Sequence, residues 1–127
     1  IDGSTDHYNW TRYHALNLHS VFYRGTVEWR CFNSTLHAGR AAAYVNLCLA
    51  ISAQAIAQRS TVMRKTQSEN ELFTFRTWLV RMGLNGAEFK NTKNHLLANL
   101  EGDRAWRYDK DQYPSAKKKK KSRESER

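Results

Sequence analysis

The sequence predicts an α+β domain: short antiparallel strands packed on a long buried helix, then two further helices and a disordered basic tail. Three observations carry this. Residues Gly25–Phe32 alternate apolar and polar side chains, the run Ala41–Ala57 is Ala-rich and apolar but for Asn46, Ser52 and Gln54, and the apolar pattern stops at Asp109.

The first strand is expected over Tyr13–Ser20, with Leu16 and Leu18 on one face and Ala15 and Asn17 on the other. The second is expected over Gly25–Phe32, where Val27, Trp29 and Cys31 share the core face. Thr26, Glu28 and Arg30 share the opposite face, because strand side chains alternate with period two. Val21–Arg24 links the strands without a two-residue hairpin signal. A long helix follows over about Ala38–Arg59, capped by Ser34 or Thr35, with a stripe of Tyr44, Leu47, Cys48, Ile51 and Ala55. Its other side is also apolar, which predicts burial between layers and a sheet larger than these two strands provide.

Thr61–Gln67 reads as a loop. Ser68-Glu69-Asn70-Glu71 reads as a capping box for a helix that runs to Met82, with Leu72, Phe75, Trp78, Leu79 and Met82 inward and Gly83 as its stop. A third helix starts at Asn85 and ends near Leu100, with Phe89, Leu96, Leu97 and Leu100 on its apolar face. The boundary falls between a folded unit, 1–108, and a tail, 109–127.

The charge is less informative than it looks. The chain has 127 residues and a net charge of +9, but Lys117–Arg127 holds seven positive and two negative side chains and supplies +5 of it. The body carries only +4, which weakens a nucleic-acid reading based on the whole-chain value. Cys31 and Cys48 form no metal-ligand spacing, and the five His residues include no helical His-x-x-x-His pair. No signal peptide or membrane span is expected, so the reading is a cytoplasmic protein with free thiols. The chain begins at Ile1 with nothing domain-like before Tyr8, which is expected of a fragment or of a chain whose start has been processed away.

The chemistry-bearing feature is Thr26-Val27-Glu28-Trp29-Arg30. On pattern alone, a Glu and an Arg two apart on one strand face are a solvated pair or a site for a metal nucleotide. In the second case the carboxylate would bind Mg²⁺ through oxygen and the guanidinium would hold phosphate bidentately.

The runs Arg12-Tyr13-His14-Ala15-Leu16-Asn17-Leu18 and Gly25-Thr26-Val27-Glu28-Trp29-Arg30-Cys31-Phe32-Asn33-Ser34-Thr35-Leu36, with the Ala-rich helix after them, resemble the C-terminal part of the amidoligase family. Phe75–Arg81 and Leu100–Arg107 are similar to the same family's later part. The family belongs to the carboxylate–amine ligases, distantly related to glutamate–cysteine ligase and glutamine synthetase. The resemblance implies a glutamine-synthetase-like sheet that cradles ATP, Mg²⁺ and a substrate carboxylate, of which 1–108 would be the C-terminal portion. Glu28 would be a Mg²⁺ ligand, and Arg30 and Arg12 catalytic phosphate or substrate contacts. Asn17 would be substrate-binding, and Thr35 could line the pocket rim. Arg12 and Asn17 are five apart, so a single regular strand separates their faces; Arg12 would have to sit on the turn before the strand or reach the site round its edge.

The implied activity is ATP-dependent formation of an amide or isopeptide bond through an acyl phosphate, from small-molecule or peptide carboxylate and amine substrates. The absence of a nucleophile motif agrees with it. The family's front half, which carries further Glu ligands, is not represented, so the domain's N-terminal half is an expected partner and the chain is expected to be incomplete alone. The alternatives are a nucleic-acid-binding module built on Trp10, Tyr13, Tyr23 and Trp29 near Arg12, Arg24 and Arg30, or an inactive open-reading-frame remnant. Reading the aromatics as core and the Lys run as a solvated tail disfavours the first.

Overall fold

The computed structural model describes residues 5–108. The expected basic tail, 109–127, lies outside the described residues. The elements are β1 (Leu16–Asn17), α1 (Ser20–Arg24), β2 (Glu28–Trp29), α2 (Ala38–Ala57), α3 (Glu71–Arg81) and α4 (Lys90–Leu97). Single 3-10 turns at Trp10–Tyr13 and Ala87–Phe89 precede β1 and α4. The architecture is α+β, with a two-stranded antiparallel sheet and several helices.

The strands are shorter than the alternation predicts. β1 and β2 pair antiparallel with Leu16 opposite Trp29 and Asn17 opposite Glu28, and the Arg30 N–H donates to the Ala15 carbonyl at 2.8 Å. Tyr13 belongs to a 3-10 turn and Ser20 opens α1, so neither lies in a strand. The Val21–Arg24 link is helical. It ends where the Gly25 N–H donates to the Val21 carbonyl and Gly25 takes φ 68°, a left-handed geometry that suits glycine.

The expected faces are also reassigned. Asn17, not Leu18, is the buried residue of the first strand region, at 1% exposure. Val27 and Cys31 are exposed and Trp29 is half-buried, so that face is not a core face. The strands do not lie broadly against the long helix. The hairpin reaches α2 through Phe32, whose ring stacks on Tyr44 with centroids 4.4 Å apart. Trp10 and Tyr13, read as core aromatics, are exposed, as is Tyr8.

The core belongs to the three longer helices. Leu47 and Ala50 of α2, Leu79 of α3, Leu84 of the following turn and Leu97 of α4 form one buried cluster. Phe75, Trp78, Met82, Phe89, Leu96 and Leu100 pack around it, as their helical spacing predicts. Asn46 donates to the Thr92 hydroxyl at 2.8 Å and ties α2 to α4 beside this cluster.

The caps differ from the expected ones. The N-cap of α2 is His37, whose Nδ1 accepts from the Arg40 N–H at 3.3 Å. Thr35 lies two residues before it, its hydroxyl accepting from the His37 N–H at 3.1 Å. Asn70 rather than Ser68 caps α3, accepting from the Phe73 N–H at 2.9 Å. Ser68 braces it, with its Oγ accepting from the Asn70 N–H at 3.2 Å. Gly83, at φ 93°, follows the end of α3 as expected.

α2 is not buried all round. Ala43, Leu47 and Ala50 are buried, whereas Val45, Leu49 and Ile56 are 57%, 63% and 88% exposed. By length and composition alone α2 is apolar enough to cross a membrane, with mean hydropathy 1.2 over eighteen residues.

Candidate functional site

The hairpin and the turn before it gather four of the five residues singled out in the sequence. The register puts Asn17 directly opposite Glu28, and the two side chains meet: Asn17 Nδ2 donates to Glu28 Oε2 at 2.7 Å. The same Nδ2 donates to Ser20 Oγ at 3.0 Å, and Asn17 Oδ1 accepts from the His19 N–H at 3.0 Å. Asn17 is therefore used at both ends of its amide, inside the fold. Its geometry makes it a brace for Glu28 rather than a surface contact.

Arg30 leans back on the same carboxylate. Its Nη1 lies 3.6 Å from Glu28 Oε1, with the two side chains 32% and 48% exposed. At that distance and exposure the pair contributes little stability, and most guanidinium donors stay free to meet an incoming anion. Glu28 and Arg30 thus share one face, as their two-residue spacing requires.

Arg12 comes from the 3-10 turn, one of the two positions that its spacing from Asn17 leaves open. Asn9 caps that turn, accepting from the Thr11 N–H at 3.0 Å and the Thr11 hydroxyl at 2.7 Å. The Arg12 guanidinium lies 5.1 Å from the Tyr8 ring centroid and 5.9 Å from that of Tyr13. Arg30 lies 5.8 Å from the same Tyr13 ring. One exposed aromatic ring therefore collects both guanidinium groups beside the Glu28 carboxylate. Thr35 is placed differently: its hydroxyl is engaged at the entry to α2.

Two residues of this region were not singled out in the sequence. Ser20 is buried and accepts from Asn17, and the Asn17-x-x-Ser20 spacing was the available signal. His19 is 1% exposed, with its Nε2 2.5 Å from the Asp6 carbonyl. A carbonyl only accepts, so Nε2 is the donor in this contact. The Nδ1 is buried without a hydrogen-bond partner among the described residues. No sequence pattern marks a buried histidine of this kind.

The cluster is open to solvent at its charged end, where Glu28 and Arg30 are part-exposed. A groove of about 390 Å³ between α3 and α4 is lined by Phe75, Trp78, Leu96 and Leu100, and shares no residue with it. Glu28 also fails as a complete metal site. Mg²⁺ takes six oxygens, and no group of three or more His, Cys, Asp or Glu side chains that could hold a metal exists among the described residues.

Residues 2–52 match the family model described as "Putative amidoligase enzyme". The match spans Arg12, Asn17, Glu28, Arg30 and Thr35, so every residue expected at the site lies inside it. It ends within α2, and the resemblance noted over Phe75–Arg81 and Leu100–Arg107 lies outside it. No curated protein and no solved structure gives a significant match.

Proposed function

We propose that this chain carries the phosphate-handling face of an ATP-dependent carboxylate–amine ligase. The observation that carries the reading is the convergence of Arg12 and Arg30 on the Tyr13 ring beside a carboxylate braced by Asn17. The match of residues 2–52 to an amidoligase family supports it at the level of a ligase.

A carboxylate is a poor acyl donor. In the proposed reaction the substrate carboxylate attacks the γ-phosphorus of ATP, giving an acyl phosphate and ADP. An amine then attacks the acyl carbon and expels inorganic phosphate, losing its proton to leave the amide. Charge accumulates on the phosphoryl oxygens, where Arg30 and Arg12 supply planar, fully charged donors. Glu28 keeps Arg30 aimed across the strand. Tyr8, Trp10 and Tyr13, all largely exposed, offer ring faces to a purine. Metal ions would bring further charge compensation, but one carboxylate does not hold them. The remaining ligands would come from the rest of a glutamine-synthetase-like domain, whose N-terminal half is the proposed partner. The setting is proposed to be cytoplasmic.

Nucleotide binding tests this on the chain as it stands, followed by the fluorescence of Trp10 and Trp29. Arg30→Ala is expected to weaken ATP binding at least tenfold while far-UV circular dichroism stays unchanged. Equal ATP affinity in the parent and Arg30→Ala sinks the reading.

A second reading draws on the same exposed aromatics, of which Trp10 and Tyr13 are expected in the core from the sequence. Tyr8, Trp10 and Tyr13 beside Arg12, Arg24 and Arg30 fit a stacking platform for single-stranded nucleic acid. Salt separates the two. Oligonucleotide affinity would fall steeply between 50 and 200 mM salt, by roughly a decade or more for several phosphate contacts.

A further inference from the structure

The Glu28 and Arg12 halves of the cluster come from different stretches of chain, and one buried side chain links them. His19 is 1% exposed. On one side its main-chain N–H donates to Asn17 Oδ1 at 3.0 Å, and Asn17 Nδ2 in turn donates to Glu28 Oε2 at 2.7 Å. On the other side its Nε2 donates to the Asp6 carbonyl, 2.5 Å away. That carbonyl leads through His7 to Tyr8, whose ring centroid lies 5.1 Å from the Arg12 guanidinium. Ring contacts follow the same course. The centroids of His19 and Tyr23 are 5.6 Å apart, those of Tyr23 and His7 5.3 Å, and those of His7 and Tyr8 4.5 Å.

An imidazole is a costly occupant of this place. Its Nδ1 is buried without a partner among the described residues, and an unpaired buried polar atom opposes folding. An apolar side chain of similar size would avoid that cost. What the imidazole adds over such a side chain is the Nε2 donor that holds Asp6. The segment it holds buries little of its own: residues 5–8 are all exposed, Tyr8 at 79%. Such a segment is ordered by its specific contacts rather than by a core.

We propose that His19 is a positioning residue for the anion-binding face. By holding the Asp6 carbonyl it fixes Tyr8, and through Tyr8 it sets the Arg12 guanidinium beside the Glu28–Arg30 pair. Buried as it is, His19 touches no ligand itself. An exposed contact between a guanidinium and a ring is weak, so Tyr8 orients Arg12 only while the ring is itself held in place. Holding it beforehand spares the bound state the ordering of that arm, which is where the gain in affinity arises. The proposal rests on the ligase reading for the identity of the anion, a nucleoside triphosphate; the placing of Arg12 does not.

Two variants of the whole chain and two readouts test this. His19→Leu removes the Nε2 donor and leaves the main-chain bond to Asn17, whereas His19→Gln keeps a side-chain N–H donor. Far-UV circular dichroism checks folding, since the helical cluster does not include His19. The first readout needs no ligand. In proton magnetic resonance the Arg12 side-chain protons are expected to carry a ring-current shift from Tyr8, lost in His19→Leu and kept in His19→Gln. The second is ATP affinity by tryptophan fluorescence. His19→Leu and Arg12→Ala are each expected to weaken it about tenfold, and the double variant no further, because both remove one arm. His19→Gln is expected to stay within about twofold of the parent. Arg12 protons unmoved by His19→Leu overturn the proposal. So does His19→Gln behaving like His19→Leu, which would leave His19 a merely structural residue. So, too, does a double variant whose loss is the product of the two single losses. A parent that binds no ATP sinks the ligase reading, and the Arg12 resonances then decide the positioning role by themselves.

Discussion

Replacing Asn17 by alanine should cost far more than its position in a two-residue strand suggests. The side chain is 1% exposed and makes three hydrogen bonds, so each lost partner can be weighed by its access to water. The His19 N–H would lose its acceptor in a buried setting, at about 1–3 kcal/mol. Ser20, 3% exposed, would lose its donor but can rotate its hydroxyl, at about 1 kcal/mol. The half-exposed Glu28 carboxylate would regain water and adds little. The expected loss is therefore about 2–4 kcal/mol, a large share of the 5–15 kcal/mol typical of a small domain. Glu28→Gln is the control: its amide oxygen still accepts from Asn17, so the loss should stay below about 1 kcal/mol. Urea unfolding followed by tryptophan fluorescence measures both, because Trp29 pairs across the strand with Leu16. If Asn17→Ala unfolded within about 0.5 kcal/mol of the parent, the polar cluster would not be what organises the hairpin.

Two further outcomes follow from burial. Leu79→Ala should lower stability by about 3 kcal/mol, because Leu79 is fully buried in the helical cluster, and calorimetry or urea unfolding would show it. The Cys48 thiol is held above its ordinary range, first by burial and then by the neighbouring Cys31 thiolate, so the folded state resists its ionisation. Stability from this group is complete below the ordinary thiol range, about pH 8.5, and declines as pH rises through the raised value. Cys48→Ala should flatten that decline, and in the parent a thiol reagent at pH 8 should modify the exposed Cys31 before Cys48.

The helices were legible because long elements repeat their signal. Leu72, Phe75, Trp78, Leu79 and Met82 mark the inner face of α3 at helical spacing, and Gly83 ends it in a left-handed conformation. The start of α3 was displaced because Ser68 and Asn70 are both competent caps. Asn70 lies next to the first helical residue and Ser68 supports it. His37 escaped notice as a cap because histidine seldom serves as one. The five-residue α1 is too short to show a period, so only Gly25 hinted at a helix end there. The apolar alternation of Val27, Trp29 and Cys31 suggested a core face, but a two-residue strand away from the helical cluster has little core to face. Spacing alone puts Glu28 and Arg30 on one face, and leaves Arg12 either on the turn before the strand or at its edge. The brace formed by Asn17, Ser20 and Glu28 depends on register, and register is set by tertiary pairing.

Asn70 does more than begin a helix. Its Oδ1 accepts from Phe73, while its Nδ2 donates to the carbonyls of Asp103 at 3.0 Å and Trp106 at 2.8 Å. A few residues along α3, Arg76 donates to the carbonyl of Arg104. The first turn of α3 and the segment past α4 are thereby tied into one opening unit, although more than thirty residues separate them in the chain. In hydrogen exchange their amides should lose protection together, at one shared free energy. Asn70→Ala should let both exchange faster while the Leu47–Leu97 cluster keeps its slow amides.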